Sequence, residues 1–382
     1  MIKTTISASF TNPLIATMFS IARETGLELY IVGGTVRDIL LGLNWHADID
    51  MIYIGDAEMF RKRIYEHVPF KSVAFTNKGF LTERLCFRNF TVDLQPVANG
   101  SLDYDVAKRD FTVNALVMEH KTGNEFFIYD HVNGLNDIQN KRLRCVSDTS
   151  FKDDPLRVLR LFRMALMCGF AYTKDELGAA RDFVDCLSSV AHERIRYELE
   201  KIAEKLTSGT INDMNAIGLD RVVFGFSTNR FDEDYFNSPV LTLFHLFYRH
   251  GADNNLSDWG RYYTFSSRDI VLWKAMSDCV RFDSDGSETE FYQRFRKVPL
   301  DHLKLMLAYV LREKKDRQIQ WLTKLIAAYK PIADGTVVSQ KFSVTGKELG
   351  LIIEKLHCLQ ITESITDPAA LYERLHDTLD FS

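Results

Sequence analysis

Leu29-Tyr30-Ile31-Val32-Gly33-Gly34-Thr35-Val36-Arg37-Asp38, followed by Asp48-Ile49-Asp50-Met51-Ile52, is the stretch from which the rest of the chain can be read. The apolar residues 27–32 predict a strand. It runs into paired glycines and then a short helix through Val36, Ile39 and Leu40. Paired glycines let a backbone approach a phosphate closely, and a helix start offers it free N–H groups. Arg37, one turn into that helix beside Asp38, carries a fork that suits a phosphate oxygen. Residues 48–54 predict a second strand, on which Asp48 and Asp50 share a face. Two carboxylates on one face repel unless solvent reaches both or a cation sits between them, and hard divalent ions such as Mg²⁺ favour oxygen ligands. A Gly-Gly turn alone is more often only a turn, and an isolated D-x-D only a solvated strand edge. Their order here sets a phosphate cradle beside a metal pair.

The surrounding pattern supports a small mixed sheet flanked by helices over residues 27–95. Residues 13–25 predict a helix, with Pro13 near its first position and Thr11 or Asn12 as cap. Residues 57–68 predict another, with Met59, Ile64 and Val68 as its apolar stripe. Strands are expected at 80–87 and 90–94. Phe90, Val92 and Leu94 alternate there with Thr91 and Asp93, so Asp93 faces away from the apolar side and is a third candidate carboxylate. Beyond about residue 104 the pattern turns helical, with only 126–130 extended and loops at 283–286 and 331–335. The expected fold is α+β: a catalytic head over 1–145, a helical neck over 146–210 and a helical body and tail over 211–382.

Composition narrows the class of function. A chain of 382 residues with 46% hydrophobic and 26% charged residues can bury more than one core. The net charge of -5 argues against a surface that grips polyanions everywhere, although residues 141–163 hold seven Lys or Arg against three Asp. No pair of the six cysteines has a C-x-x-C spacing, which points away from zinc and redox motifs; Cys86, Cys168 and Cys358 read as reduced core residues. With no long apolar run, the expectation is a cytoplasmic protein without a membrane span.

The order of strand, Gly-Gly turn, Arg-Asp helix and D-x-D strand resembles the nucleotidyltransferase superfamily of DNA polymerase beta. GGTVRD with DID is similar, more narrowly, to the head motif of class II tRNA nucleotidyltransferases (CCA-adding enzymes) and bacterial poly(A) polymerases. Lys108-Arg109-Asp110-Phe111-Thr112-Val113-Asn114-Ala115 resembles that family's R-R-D-F-T-x-N-A motif, with Lys in place of the first Arg. Asp153-Asp154-Pro155-Leu156-Arg157-Val158-Leu159-Arg160 resembles its E-D-x-x-R motif. The segment from His192 to Leu199 resembles a later E-R-x-x-x-E segment that braces the nucleotide-binding helix.

The resemblance covers roughly residues 28–205. It implies catalysis and two-metal Mg²⁺ binding by Asp48 and Asp50, with Asp93 as a further catalytic acid. It implies nucleotide binding by Gly33, Gly34, Arg37, Asp38, Arg109, Asp110, Asn114, Asp154, Arg157 and Arg160. Arg109 would contact the ribose, while Asp154 and Arg157 would read the base edge of CTP or ATP in place of a nucleic-acid template. The implied reaction adds CMP, AMP or both to the 3′ end of tRNA.

Alternatives remain open: a poly(A) polymerase acting on other RNA, a catalytically inactive RNA-binding relative, or, least of all, a phosphohydrolase around His376-Asp377. Only residues 95–108 separate Leu94 from Arg109, and CC-adding relatives are the ones that lack a longer flexible segment there. Addition of C with poor addition of the terminal A is therefore an open expectation. Arg312, Lys314, Lys315 and Arg317 form the densest basic cluster of the helical body; two readings stay open, an ordinary solvated helix face and a surface that meets RNA phosphates.

Overall fold

The computed structural model describes residues 2–7, 13–43, 48–77, 80–228, 238–282 and 286–379. The proposed caps Thr11 and Asn12, most of the 283–286 loop, and the side chains of His376 and Asp377 lie outside the described residues. The chain divides into two compact units, residues 1–229 and 230–382.

The first unit is built on one sheet. Its strands are β1 (Ile2–Ser7), β2 (Glu28–Val32), β3 (Asp48–Ile54), β4 (Lys71–Asn77), β5 (Phe80–Cys86), β6 (Thr91–Pro96), β7 (Val117–Thr122) and β8 (Glu125–Asp130). They lie in the order β1-β8-β7-β2-β3-β6-β5-β4. β3 and β6 run parallel, and the other neighbours are antiparallel. The sheet is therefore mixed, as expected, but larger. β1, β4 and β7 were not anticipated, because β1 and β4 are edge strands without a continuous apolar face and β7 is a short arm of a hairpin.

The two faces of the sheet have different fates. Ile49, Met51, Val92 and Leu94 are buried on the face that takes α1 (Pro13–Glu24) and α3 (Glu58–His67), where Phe19 stacks on His120 and Arg61 pairs with Glu83. Phe60 and Ile64 form the buried stripe of α3. Met59 and Val68, assigned to that stripe from sequence, are exposed; the helix is rotated so that the aromatic ring, with more area to hide, takes the inner position. On the other face, Tyr30, Val32 and Ile52 pack against Val97, Val106, Ala115 and Val117. Val106 belongs to α4 (Leu102–Ala107), which covers only part of that face. The N-terminal end of β3 stays uncovered, and Asp48 and Asp50 are exposed there.

The chain then turns helical. α2 is Gly34–Leu40, α5 Gly134–Gln139, α6 Ser150–Asp153, α7 Arg157–Cys168, α8 Lys174–Arg181, α9 His192–Ala203, α10 Ser208–Ala216 and α11 Leu219–Phe224. Gly134 sits so close to the head that an added Cβ would lie 2.3 Å from the Thr112 carbonyl oxygen. α7 buries Val158, Leu159, Leu161 and Phe162 completely, a contribution of about 1.5–3 kcal/mol for each large side chain. That burial, more than its charges, fixes the helix, whose main packing partner is α9.

The second unit, taken by itself, is helical from Pro239–Arg249 to Pro368–Leu379. One core gathers Phe247, Trp259, Phe265 and Trp273; another holds Val338, Leu356, Leu371, Tyr372 and Leu375. No described helix is long and apolar enough to cross a membrane. All six cysteines are free. Cys86, Cys168 and Cys358 are only half-buried, and the fully buried thiol is Cys279, which burial pushes up to about 12. Short apolar neighbourhoods in sequence did not distinguish a core position from a flank.

Candidate active site

β3 and β6 are in register, with Asp50 opposite Asp93 and Asp48 opposite Thr91. β5 continues the rows, with Arg84 opposite Asp93 and Cys86 opposite Thr91. Because residues two apart share a face, all of these side chains lie on the open side of the sheet. Thr91 Oγ1 donates to Asp48 Oδ1 at 2.5 Å. Arg84 holds Asp93 through both carboxylate oxygens, Nε and Nη2 each at 2.7 Å.

Asp50 is exposed to solvent yet has protein around it, the situation of a group on the floor of a cleft. Enclosure by the surrounding protein pushes its carboxyl up; Arg109 opposes that, Asp93 adds to it, Arg160 opposes it and Asp48 adds to it. Negative charge is thus concentrated where an added cation would relieve repulsion.

The glycine turn closes on this row. Gly33 has φ 74° and ψ −143°, backbone open essentially to glycine alone. A Cβ there would stand 3.1 Å from Asp50 Oδ2 and 3.4 Å from Arg109 Nη1. The turn, β3 and Arg109 therefore converge, and the missing side chain leaves room for a ligand group. No side chain caps α2. Arg109 is anchored on Asp105, Nε at 2.8 Å and Nη2 at 2.7 Å, so its remaining nitrogen is presented toward the turn.

The other motif residues form a buried network behind the cleft. Arg37 Nε donates to Asp38 Oδ1 at 2.8 Å, and its Nη1 to Asn114 Oδ1 at 2.6 Å. Asn114 Nδ2 donates to Asp110 Oδ1 at 3.0 Å. Asp110 Oδ2 accepts from Arg160 Nε at 2.7 Å. Burial alone would raise the Asp110 carboxyl, but Arg160, Asn114, the Phe111 N–H and Arg157 together hold it well below the usual carboxylate range. Arg37, read from sequence as a phosphate contact, is instead committed to Asp38 and Asn114 and is 8% exposed.

Asp154 and Arg157 mark the start of α7. Asp154 pairs with Arg194 of α9 at 3.0 Å, and Arg163 of α7 pairs with Glu198 of α9 at 2.8 Å. The segment at 192–199 is thus tied to α7 by the Arg163–Glu198 pair and to the end of α6 by the Arg194–Asp154 pair. Arg157 is 3% exposed. Its Nη1 donates to Ser150 Oγ at 2.8 Å and to the Ser150 carbonyl at 3.1 Å, and its Nη2 donates to the Lys108 carbonyl. Arg157 therefore locks the R-D-F-T-x-N-A segment to α6.

Among the described residues no three His, Cys, Asp or Glu side chains are gathered as a metal cage. That donor set still suits Mg²⁺, which keeps several waters and is commonly held by one or two carboxylates plus substrate phosphates. Asp48 and Asp50 supply such oxygens at an open face, while Asp93 is already occupied by Arg84.

Sequence reasoning missed Arg84. The signal lay in Arg88-Asn89 as a tight turn: Phe87 N–H donates to the Phe90 carbonyl at 3.0 Å, and counting outward from that pair sets residue 84 opposite 93.

Residues 29–144 match the family described as the Poly A polymerase head domain. The chain is 32% identical over 182 residues to the CC-adding tRNA nucleotidyltransferase of Halalkalibacterium halodurans, 47% of this chain and 45% of that one. It is 32% identical over 191 residues to the CCA-adding enzyme of Leuconostoc mesenteroides, 47% and 46% of the two chains. The chain spans about half the length of these curated relatives. In fold it is similar to the Thermotoga maritima CCA-adding enzyme complexed with tRNA, with a TM-score of 0.71 at 19% identity over 98% of this chain and 99% of that one. The Bacillus stearothermophilus CCA-adding enzyme in complex with CTP gives a TM-score of 0.72 at 18% identity, over 97% and 100%. Residues 29–144 thus carry the Poly A polymerase head domain, with the glycine turn and the acid row in the positions described, and about half of the chain is similar to tRNA nucleotidyltransferases of the CC-adding and CCA-adding kinds.

Proposed function

We propose that this protein adds CMP, and more slowly AMP, to the 3′ end of tRNA without a nucleic-acid template. The observation that carries the reading is the convergence of Asp50, the side-chain-free Gly33 turn and Arg109 on one open end of the sheet. In the reaction the RNA 3′ oxygen forms a bond to the α-phosphorus of the nucleotide, and the bond from that phosphorus to the β-phosphate bridging oxygen breaks, releasing pyrophosphate. Asp48 and Asp50 would hold two Mg²⁺ ions, which lower the pKa of the attacking hydroxyl and neutralise the leaving pyrophosphate.

The chain's own residues do the rest. The Gly33-Gly34 turn lets the triphosphate approach the backbone. Arg109, steadied by Asp105, faces the nucleotide and selects its ribose. Asp154 accepts from the exocyclic amine of cytosine or adenine, its orientation held by Arg194. Arg157, Asn114, Asp110 and Arg160 keep that reading edge at a fixed distance from the acid row, and Arg37 and Asp38 extend the same network to α2. The helical unit over residues 230–382 would meet the tRNA by its phosphates; Arg312, Lys314, Lys315 and Arg317 surround the turn between the helices Leu300–Arg312 and Asp316–Ala327, and Arg317 lies over Trp321. The six free thiols suit a reducing, cytoplasmic setting.

The slower A step follows from residues 95–108. They are folded through a 3₁₀ turn and α4, with Val106 in the core, so a lever long enough to reshape the base pocket for a purine is lacking in that stretch.

The test is incorporation into tRNA lacking its CCA end, with CTP alone, ATP alone and both, followed by sequencing of the products. Extension by C residues is expected with CTP, and slower A-addition to tRNA ending in CC. Long A tracts on unrelated RNA would assign poly(A) polymerase activity instead. Failure to incorporate any nucleotide would sink the proposal.

A further inference from the structure

We propose that Arg84 is a positioning residue that acts as an internal counter-cation: by clasping Asp93 it keeps this carboxylate out of the metal-binding set and thereby sets how tightly the acid row binds divalent ions. The inference rests on the metal role assigned above to Asp48 and Asp50.

The geometry is specific. Asp50, Asp93 and Arg84 are directly opposite one another on three neighbouring strands, so the guanidinium and the two carboxylates form one row across the sheet. Side chains opposite each other on one face of a sheet are close enough to interact directly. Arg84 engages both Asp93 oxygens at 2.7 Å, the planar fork-to-fork pairing that is the strongest kind of side-chain hydrogen bonding. Its guanidinium also lies 5.6 Å from the Phe75 ring centroid on β4, which supports it from the far side.

Asp93 is the more protected partner, 22% exposed against 44% for Arg84. A cation seeking Asp93 must therefore displace two charge-assisted bonds. Asp48, by contrast, accepts a hydroxyl from Thr91. A hydroxyl stays compatible with the oxygen acting as a metal ligand, because it brings no competing charge. Three acids on one face would hold a divalent ion tightly; two acids with the third neutralised hold it loosely, so that ions come and go with the nucleotide that brings them. Hard-ion sites of that looser kind complete their coordination with water and substrate phosphate.

The proposal is tested by Mn²⁺ binding to the full chain without nucleotide, read by the electron paramagnetic resonance of free Mn²⁺, for wild type, Arg84→Met, Asp93→Asn and the double variant. Arg84→Met should tighten Mn²⁺ binding about tenfold, because Asp93 is released to the ion. Asp93→Asn alone should weaken it only a few-fold, roughly, through the uncompensated Arg84 cation, which is half-exposed and screened by solvent. The double variant should lose the tightening. Arg84→Lys, which keeps the charge but not the fork, should fall between wild type and Arg84→Met. Circular dichroism melts exclude an unfolded variant, and Arg84→Lys carries the test if Arg84→Met does not fold. Unchanged or weaker binding in Arg84→Met, or a strong loss in Asp93→Asn alone, overturns the proposal while leaving the roles of Asp48 and Asp50 intact. Wild-type protein that binds no Mn²⁺ overturns both.

Discussion

The acid row and the network behind it are built from the same residue types and treat them in opposite ways. Asp48 and Asp50 are exposed on the uncovered end of β3, and what surrounds Asp50 raises its proton affinity. Asp38, Asp110 and Asp154 are 1%, 7% and 7% exposed and each is engaged by an arginine. Electrostatic repulsion left unrelieved is a cost that folding alone would not maintain; it makes sense where a ligand's charge completes the site. Charge that is buried and paired does the reverse: it fixes the geometry of its neighbours and loses stability when one partner is removed. On the proposed function, the motif residues of this chain separate into those that would touch the reacting groups and those that hold the distance between them.

The sharpest way to break this contrast is at the acid row. Asp48→Ala or Asp50→Ala should lower nucleotide incorporation by roughly a thousandfold or more, while the melting temperature stays within about 3 °C of wild type, because an exposed carboxylate contributes little to folding. Single-turnover assays paired with thermal melts would show it. A large drop in melting temperature with activity retained would reverse the two regions' roles.

Asp110→Asn is the counterpart in the network. It leaves Arg160 without its carboxylate and should destabilise the first unit by about 2–4 kcal/mol at pH 7, a figure reduced from that of a fully buried pair because Arg160 is a third exposed. The sign of its pH dependence follows from the depressed pKa. The folded value lies below the unfolded one, so the stabilisation is fully present above about pH 4 and is lost as pH falls through the folded value. The gap between wild type and Asp110→Asn should therefore narrow in urea titrations taken from pH 7 down to pH 3. A gap that widens on acidification would mean that Asp110 is protonated in the native state.

The smallest effect is expected at Arg194, whose side chain is 45% exposed. Arg194→Ala should cost about 0.5–1 kcal/mol and raise misincorporation of GMP or UMP a few-fold, roughly, through a looser Asp154. Urea titration and product sequencing read the two effects separately. A loss as large as that of Asp110→Asn would move Asp154 wholly into the structural class.

Much of the head could be read from the chain directly, because strand periodicity and turn chemistry are local. β3 begins at Asp48 as expected, and the pairing of a glycine turn with D-x-D on one face needed no long-range information. β1 was not foreseen, since it is an edge strand paired with β8, more than a hundred residues away, and its own residues are nearly all exposed. Arg37 shows the complementary failure. Its position one turn past the glycines suits a phosphate, and nothing local reveals that Asn114, far along the chain, takes one of its donors.

Local chemistry was enough to show that Asp48 and Asp50 share a face and that a glycine turn precedes them, because each of these properties is set within a few residues by backbone geometry and side-chain type. Which charges remain available was settled by folding. Asp93 meets Arg84, Asp110 meets Arg160 and Asp154 meets Arg194 through strand register and helix packing, and a charge's function depends on its nearest opposite, which folding brings from elsewhere in the chain.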